Sequence, residues 1–183
     1  MKWMIASDIH GSAPACAALL ERFHAEGAQR LLLLGDLLYH GPRNDLPEGY
    51  RPKEVISLLS GVRESLFCVR GNCDAEVDQM VLPFPILSDM MFLCDGGVSV
   101  LATHGHLYHE QHLPPLKKGD VLLHGHTHVP VMENRGDYWL MNPGSVSIPK
   151  EGSARSYLTL EDGLFTHKDL TGRVLRSLSV TGE

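Results

Sequence analysis

The chain has 183 residues, 43% of them hydrophobic and 21% charged, an ordinary globular composition that predicts one domain over 1–183. Its longest apolar runs, such as Leu31 to Leu34, fall far short of the ~20 residues of a membrane helix. A net charge of −6 disfavours avid nucleic-acid binding, which depends on lysine and arginine displacing phosphate counterions. Four cysteines with no C-x-x-C pair give neither a disulfide framework nor a thiolate zinc site. Because Asp8 and His10 interrupt the first apolar stretch, a cytoplasmic location is expected. Eleven histidines are the excess that asks for a chemical explanation.

In chain order, Lys2 to Ser7 reads as a buried strand and Ser12 to Glu26 as an Ala- and Leu-rich helix, capped by Ser12 and stopped by Gly27. Arg30 to Leu34 is a second strand, Pro52 to Leu59 has helical spacing, and Ser65 to Val69 is a third strand. This β-α-β-α-β order predicts a parallel core. The second half alternates strand-like runs with Gly- and Asp-rich turns: Met91 to Cys94, Val98 to Thr103, Val121 to His124, Val129 to Asn134, Tyr138 to Met141, Arg155 to Leu160, Leu164 to Lys168 and Arg173 to Val180. That half reads as mainly antiparallel, so two sheets packed face to face with helices outside is the expected α/β architecture.

Five polar clusters each follow a strand-like run: Asp8-Ile9-His10, Gly35-Asp36, Gly71-Asn72-Cys73-Asp74, His104-Gly105-His106 and Gly125-His126-Thr127-His128. Loops at strand carboxyl ends converge on ligands in α/β sheets. G-H-x-H is expected by chance only roughly 0.06 times in such a chain and G-N-x-D roughly 0.02 times, so these two carry most of the signal. Asp8, Asp36, Asn72, His10, His104, His126 and His128 together offer two carboxylates, one amide oxygen and four imidazoles. Mixed N/O donors without thiolate suit Mn, Fe, Zn or Ni. Seven candidates exceed the ligand demand of a single ion, so two divalent transition-metal ions are expected.

In this order the motifs resemble the calcineurin-like metallophosphoesterase superfamily. Gly41-Pro42-Arg43-Asn44 and Asn142-Pro143-Gly144-Ser145 make the chain similar to its small YfcE-type bacterial phosphodiesterases. The resemblance implies a four-layer α/β/β/α sandwich of two mixed sheets. It implies that Asp8, His10 and His128 hold one metal, that Asn72, His104 and His126 hold the other, and that Asp36 bridges them. It further implies that a hydroxide shared by the ions attacks phosphorus, with Asn72, His104 and Cys73 at the catalytic centre and Asp74 behind it. Much of the superfamily has histidine where this chain has Cys73, and that histidine lies near the leaving group; the substitution predicts slow hydrolysis unless the leaving group is activated.

Arg43, in the long loop after Asp36, is a candidate bidentate phosphate contact, and Cys73 and His106 are candidates to touch substrate. The expected function is hydrolysis of small or activated phosphodiesters with Mn²⁺ as first choice of metal. A phosphomonoesterase or nuclease is the alternative enzyme, and a protein-binding scaffold of the same fold the non-catalytic one. Strand edges in the C-terminal half leave room for a homo-oligomer.

Overall fold

The computed structural model describes residues 1–180, so the last three residues of the expected domain, 181–183, lie outside the described residues. The elements are β1 (Trp3–Ala6), α1 (Ala13–Ala25), β2 (Arg30–Leu33), α2 (Pro52–Ser60), β3 (Leu66–Cys68), α3 (Glu76–Gln79), β4 (Met90–Asp95), β5 (Val98–Thr103), β6 (Val121–Leu123), β7 (Val131–Asn134), β8 (Trp139–Asn142), β9 (Ser156–Glu161), β10 (Leu164–Asp169) and β11 (Val174–Ser179). Local chemistry explains several boundaries. The Ser12 hydroxyl accepts from the Ala15 backbone N–H, capping α1 as expected. At the other end Gly27, at φ +63°, turns the chain out of the helix.

Two mixed sheets result, with strand orders β11-β10-β9-β1-β2-β3 and β4-β5-β6-β8-β7. The first combines the expected parallel β1–β2–β3 core with the antiparallel run β1–β9–β10–β11. The C-terminal half is mainly antiparallel, as expected, but within the second sheet β5 pairs parallel to β6 and β6 parallel to β8. Long non-helical connections, above all residues 104–120 between β5 and β6, make these parallel returns possible.

Strand alternation divides the core in two. Met4, Ala6, Leu31 and Leu33 face Leu19, Phe23, Val55 and Leu59 of α1 and α2. Their neighbours Trp3, Ile5, Leu32 and Leu34 face Val100, Val121, Leu123 and Met141 of the second sheet. The α/β class and the paired sheets are those expected, but helix is concentrated early: no described helix follows α3. On the second sheet, the 104–120 connection is fastened to the β7–β8 hairpin by a Glu110–Arg135 ion pair and by Gly119 N–H to Asp137 O.

Candidate metal centre

The connections leaving β1, β2, β3, β5 and β6 meet at one end of the two sheets. Asp8 N–H bonds Gly35 O and His10 N–H bonds Asp36 O, tying the loops after β1 and β2 together, and Gly125 N–H bonds His104 O, tying those after β6 and β5. The turns are tight: five of the seven non-glycine residues with positive φ among the described residues are Asp8, His10, Asp36, His126 and His128. Side chains in this left-handed region cost free energy, and such strain concentrates where geometry serves a site. Glycine is needed where the loops touch. A Cβ on Gly71 would collide with the Asp36 carboxylate, and one on Gly125 with the Ser7 hydroxyl.

Three imidazoles are oriented by backbone carbonyls. Nδ1–H of His10 donates to Tyr39 O at 2.8 Å, that of His104 to Leu34 O at 2.6 Å and that of His128 to Ile148 O at 2.7 Å. Each proton sits on Nδ1, so each Nε2 turns a lone pair into the site. His10 Nε2 and His128 Nε2 then face each other at 3.2 Å. On the other side His104 Nε2 lies 3.2 Å from His126 Nδ1 and 3.1 Å from Asn72 Oδ1. Asp36 Oδ2 stands between the pairs, 3.7 Å from His10 Nε2 and 3.5 Å from His104 Nε2.

This arrangement fits divalent metal ions. Facing lone pairs repel unless a positive charge lies between them. Asp8 Oδ1, buried and without a hydrogen-bond partner, points at the same place, 3.5 Å from His10 Nε2 and 3.3 Å from His128 Nε2. Asp8, His10 and His128 form one compact donor group, and Asp8, Asp36 and His104 another.

Electrostatics favours the donor forms of Asp8 and His126, while His10, despite its burial, is raised by the adjoining Asp8 carboxylate. Burial alone would raise the Asp8 carboxyl, but the His10 and His128 imidazoles outweigh it and hold it well below the usual carboxylate range. Burial, with the neighbouring His104 second, lowers His126 to about 4, leaving it neutral at ordinary pH. Behind the centre, the buried Asp74 carboxylate accepts from the N–H groups of Asp36 and Gly71 through Oδ2 and from that of Leu37 through Oδ1. The hydroxyls of Ser145 and Ser147 both donate to Asp8 O, fixing the first loop from below.

All seven ligand candidates thus come together, and the substrate candidates distribute around them. Arg43 is exposed and lines a cavity of about 330 Å³ with Asp36, Asn72, His126 and His128. His106 is half-buried, its Nδ1 without a partner, in a neighbouring cavity of about 400 Å³ shared with His109, Glu110 and His124. The Cys73 thiol stands within 4.8 Å of the His10 and Asp36 donor atoms. Burial first, and then the Asp36 charge, push that thiol far above its ordinary pKa, so it remains protonated. Asn44, Thr127 and Lys150 also line the Arg43 cavity and were not singled out from the sequence. Lys150 is delivered by its own backbone N–H bonding His128 O, a long-range contact with no local motif.

Comparison with known proteins follows the same lines. The calcineurin-like phosphoesterase superfamily domain matches residues 1–162. The chain is 51% identical over 166 residues to phosphodiesterase YfcE of Escherichia coli strain K12, covering 91% of this chain and 90% of that protein. It is 27% identical over 179 residues to the probable metallophosphoesterase YsnB of Bacillus subtilis, covering 91% and 88%. A solved structure of YfcE, described as a phosphoesterase from E. coli, superposes with a TM-score of 0.95 at 47% identity, covering 99% of this chain and all (100%) of that one.

Proposed function

Because this chain belongs to the calcineurin-like phosphoesterase superfamily, it is a hydrolase, and we propose that it cleaves small or activated phosphodiesters with two divalent ions. Asp8, His10 and His128 would hold one ion, Asn72, His104 and His126 would hold the other, and Asp36, between the two groups, would serve both. The observation that carries this reading is Asp36 Oδ2 standing between two converging imidazole pairs, 3.7 Å from His10 and 3.5 Å from His104. Nitrogen and oxygen donors suit Mn²⁺ first, with Fe, Zn and Ni as competitors.

When bound, the ions supply Lewis acidity to the phosphoryl oxygens and lower the pKa of the attacking water toward ~7. The chain's own residues do the rest. Backbone carbonyls of Leu34, Tyr39 and Ile148 hold three imidazoles in the donor tautomer, so little reorganisation is needed when substrate enters. Arg43, Asn44 and Lys150 border the polar cavity beside Asp36 and clamp the non-bridging oxygens. Cys73 and His106 flank that cavity and meet the ester groups; Cys73 stands where the leaving oxygen departs, and its weakly acidic thiol restricts efficient turnover to leaving groups that need no proton.

A cytoplasmic location and a homo-oligomer complete the reading. Four free thiols support the first, and the sheet-edge strands β4, β7 and β11 support the second; sedimentation velocity at several concentrations tests the oligomer. The function itself is tested by hydrolysis of matched aryl mono- and diesters with Mn²⁺, before and after chelation. Diester hydrolysis that disappears with chelator and returns with Mn²⁺ is expected; hydrolysis of monoesters alone, or indifference to chelator, would contradict it.

A further inference from the structure

Two histidines outside the seven ligand candidates each keep a buried ring nitrogen without a hydrogen-bond partner, Nδ1 of His106 and Nε2 of His124. Both rings line the same cavity of about 400 Å³, whose wall is completed by His109, Glu110 and Gln111 of the 104–120 connection. Its volume is that of a small-molecule site. His126 and Thr127 line both this cavity and the one beside Arg43, so the two spaces adjoin across a proposed metal ligand.

The polar atoms of this cavity are held in place. His124 is 4% exposed, and Gly105 approaches its ring so closely that a Cβ there would meet His124 Nδ1 at 2.8 Å. Nδ1–H donates to Gly125 O at 3.0 Å. Asn142 Nδ2, 3.4 Å from the same Nδ1, donates instead to Gly125 O at 2.9 Å and Thr127 Oγ1 at 3.0 Å. Burial lowers the pKa of the His124 ring, so it is neutral and Nε2 carries a bare lone pair. On the 104–120 connection, the backbone N–H groups of His109 and His112 each bond the other's carbonyl, at 3.1 and 2.9 Å, closing the turn that carries Glu110 and Gln111. His109 Nδ1 accepts from the Gln111 backbone N–H at 3.3 Å, which puts a proton on Nε2. Glu110 pairs with Arg135 at 3.2 Å, which fixes this turn to the second sheet and offsets the carboxylate's charge.

We propose that this cavity receives a hydroxylated alkyl ester group of the substrate, a short polyol whose hydroxyls pair with His124 Nε2 and His106 Nδ1. The assignment rests on the phosphodiesterase reading above, with the phosphoryl group beside Asp36 and Arg43. A bare lone pair and a ring N–H in one cavity call for an occupant that both donates and accepts, and a hydroxyl does both. An ammonium group would meet the His109 N–H, and a carboxylate or second phosphate would meet the His124 lone pair and Glu110. A plain alkyl chain would leave the buried His124 acceptor unpaired, and sites that hydrogen-bond a hydroxyl reject analogues without one for that reason.

The test is calorimetric titration of the Mn²⁺-loaded protein with propylphosphonate and 2,3-dihydroxypropylphosphonate, which share the anion and the chain length and differ in the hydroxyls. The dihydroxy compound is expected to bind at least about tenfold more tightly. His124→Phe and His106→Phe keep a ring in place and remove its nitrogens, and each should cut that ratio to about threefold or less. Because the two ligands share the anion, an altered metal content shifts both affinities together and leaves the ratio readable. His106 is only half-buried, so its variant carries the test if the His124 position does not tolerate phenylalanine. A fall in the ratio in either variant supports the assignment; equal affinities in the parent, or a ratio untouched by both variants, would overturn it. Failure of the phosphodiesterase reading looks different: neither phosphonate binds in a Mn²⁺-dependent way, and the subsite falls with it.

Discussion

Asp8, His10, Asp36, His126 and His128 all occupy left-handed backbone conformations, each costing on the order of 1 kcal/mol. A fold keeps such strain where the side chain must leave a strand end at an angle a regular strand cannot provide. The residue types at these positions are readable in sequence because each lies within about five residues of the end of an apolar run, and glycine beside Asp36, Asn72 and His126 allows the loops to touch. Cys73 is readable too, as a departure from histidine. Its thiol is held protonated by burial and by Asp36, so it is a weak acid at the place where a proton is wanted. Cys73→His is therefore expected to raise kcat for diesters with poorly activated alkyl leaving groups by about tenfold or more, approaching the ~10²- to 10⁴-fold of a well-placed general acid. Steady-state kinetics across leaving groups checks this; an unchanged or lower rate with both metals retained would contradict it.

At the scale of elements, the loops are held by groups that bind no substrate. Asp74 gathers three backbone N–H groups from the Asp36 and Gly71 turns, and no pattern in the sequence announces that role beyond its place after Gly71-Asn72. Asp74→Ala strands those buried donors. It is expected to lower the stability of the metal-free protein by about 3 kcal/mol and to weaken metal binding by about 10- to 100-fold, measured by urea denaturation and by Mn²⁺ titration. Element order was legible because strand runs and their turns have clear periods. The four-residue α3 was not, since so short a helix has no amphipathic repeat to read. Nor were the parallel pairings of β5 with β6 and β6 with β8, because alternation states which face is buried and says nothing of which strand lies alongside.

Across the whole molecule, the first sheet and its helix layer are joined by a polar knot far from the metal centre. Glu26, capping α1, accepts from Lys168, Lys2 and Tyr157. Burial alone would raise its carboxyl, but these donors, Lys168 foremost, hold it at about 2. The folded pKa lies below the unfolded value of about 4.3, so this stabilisation is complete above that pH and disappears as pH falls toward 2. Glu26→Gln should cost on the order of 2 kcal/mol at pH 7, with the gap to the parent narrowing as denaturation is repeated from pH 4.5 downward; a gap independent of pH would contradict the pairing. Such long-range convergence is also why Lys150 escaped the sequence reading, whereas Asn44 and Thr127 lay inside quoted motifs. The approach of Lys150 to the Arg43 cavity depends on how its segment folds back onto His128, which local pattern does not encode.

The claim on which the rest depends is that Asp36 joins two ions held by the two sheets' loops. Its most direct test is elemental analysis of parent and Asp36→Asn protein after Mn²⁺ loading and gel filtration, with diester hydrolysis assayed on the same samples. Two ions per chain are expected in the parent. The variant should retain one or none and lose at least about 100-fold in activity. A variant that keeps two ions and full activity, or a parent that holds a single ion while fully active, would contradict the dinuclear account.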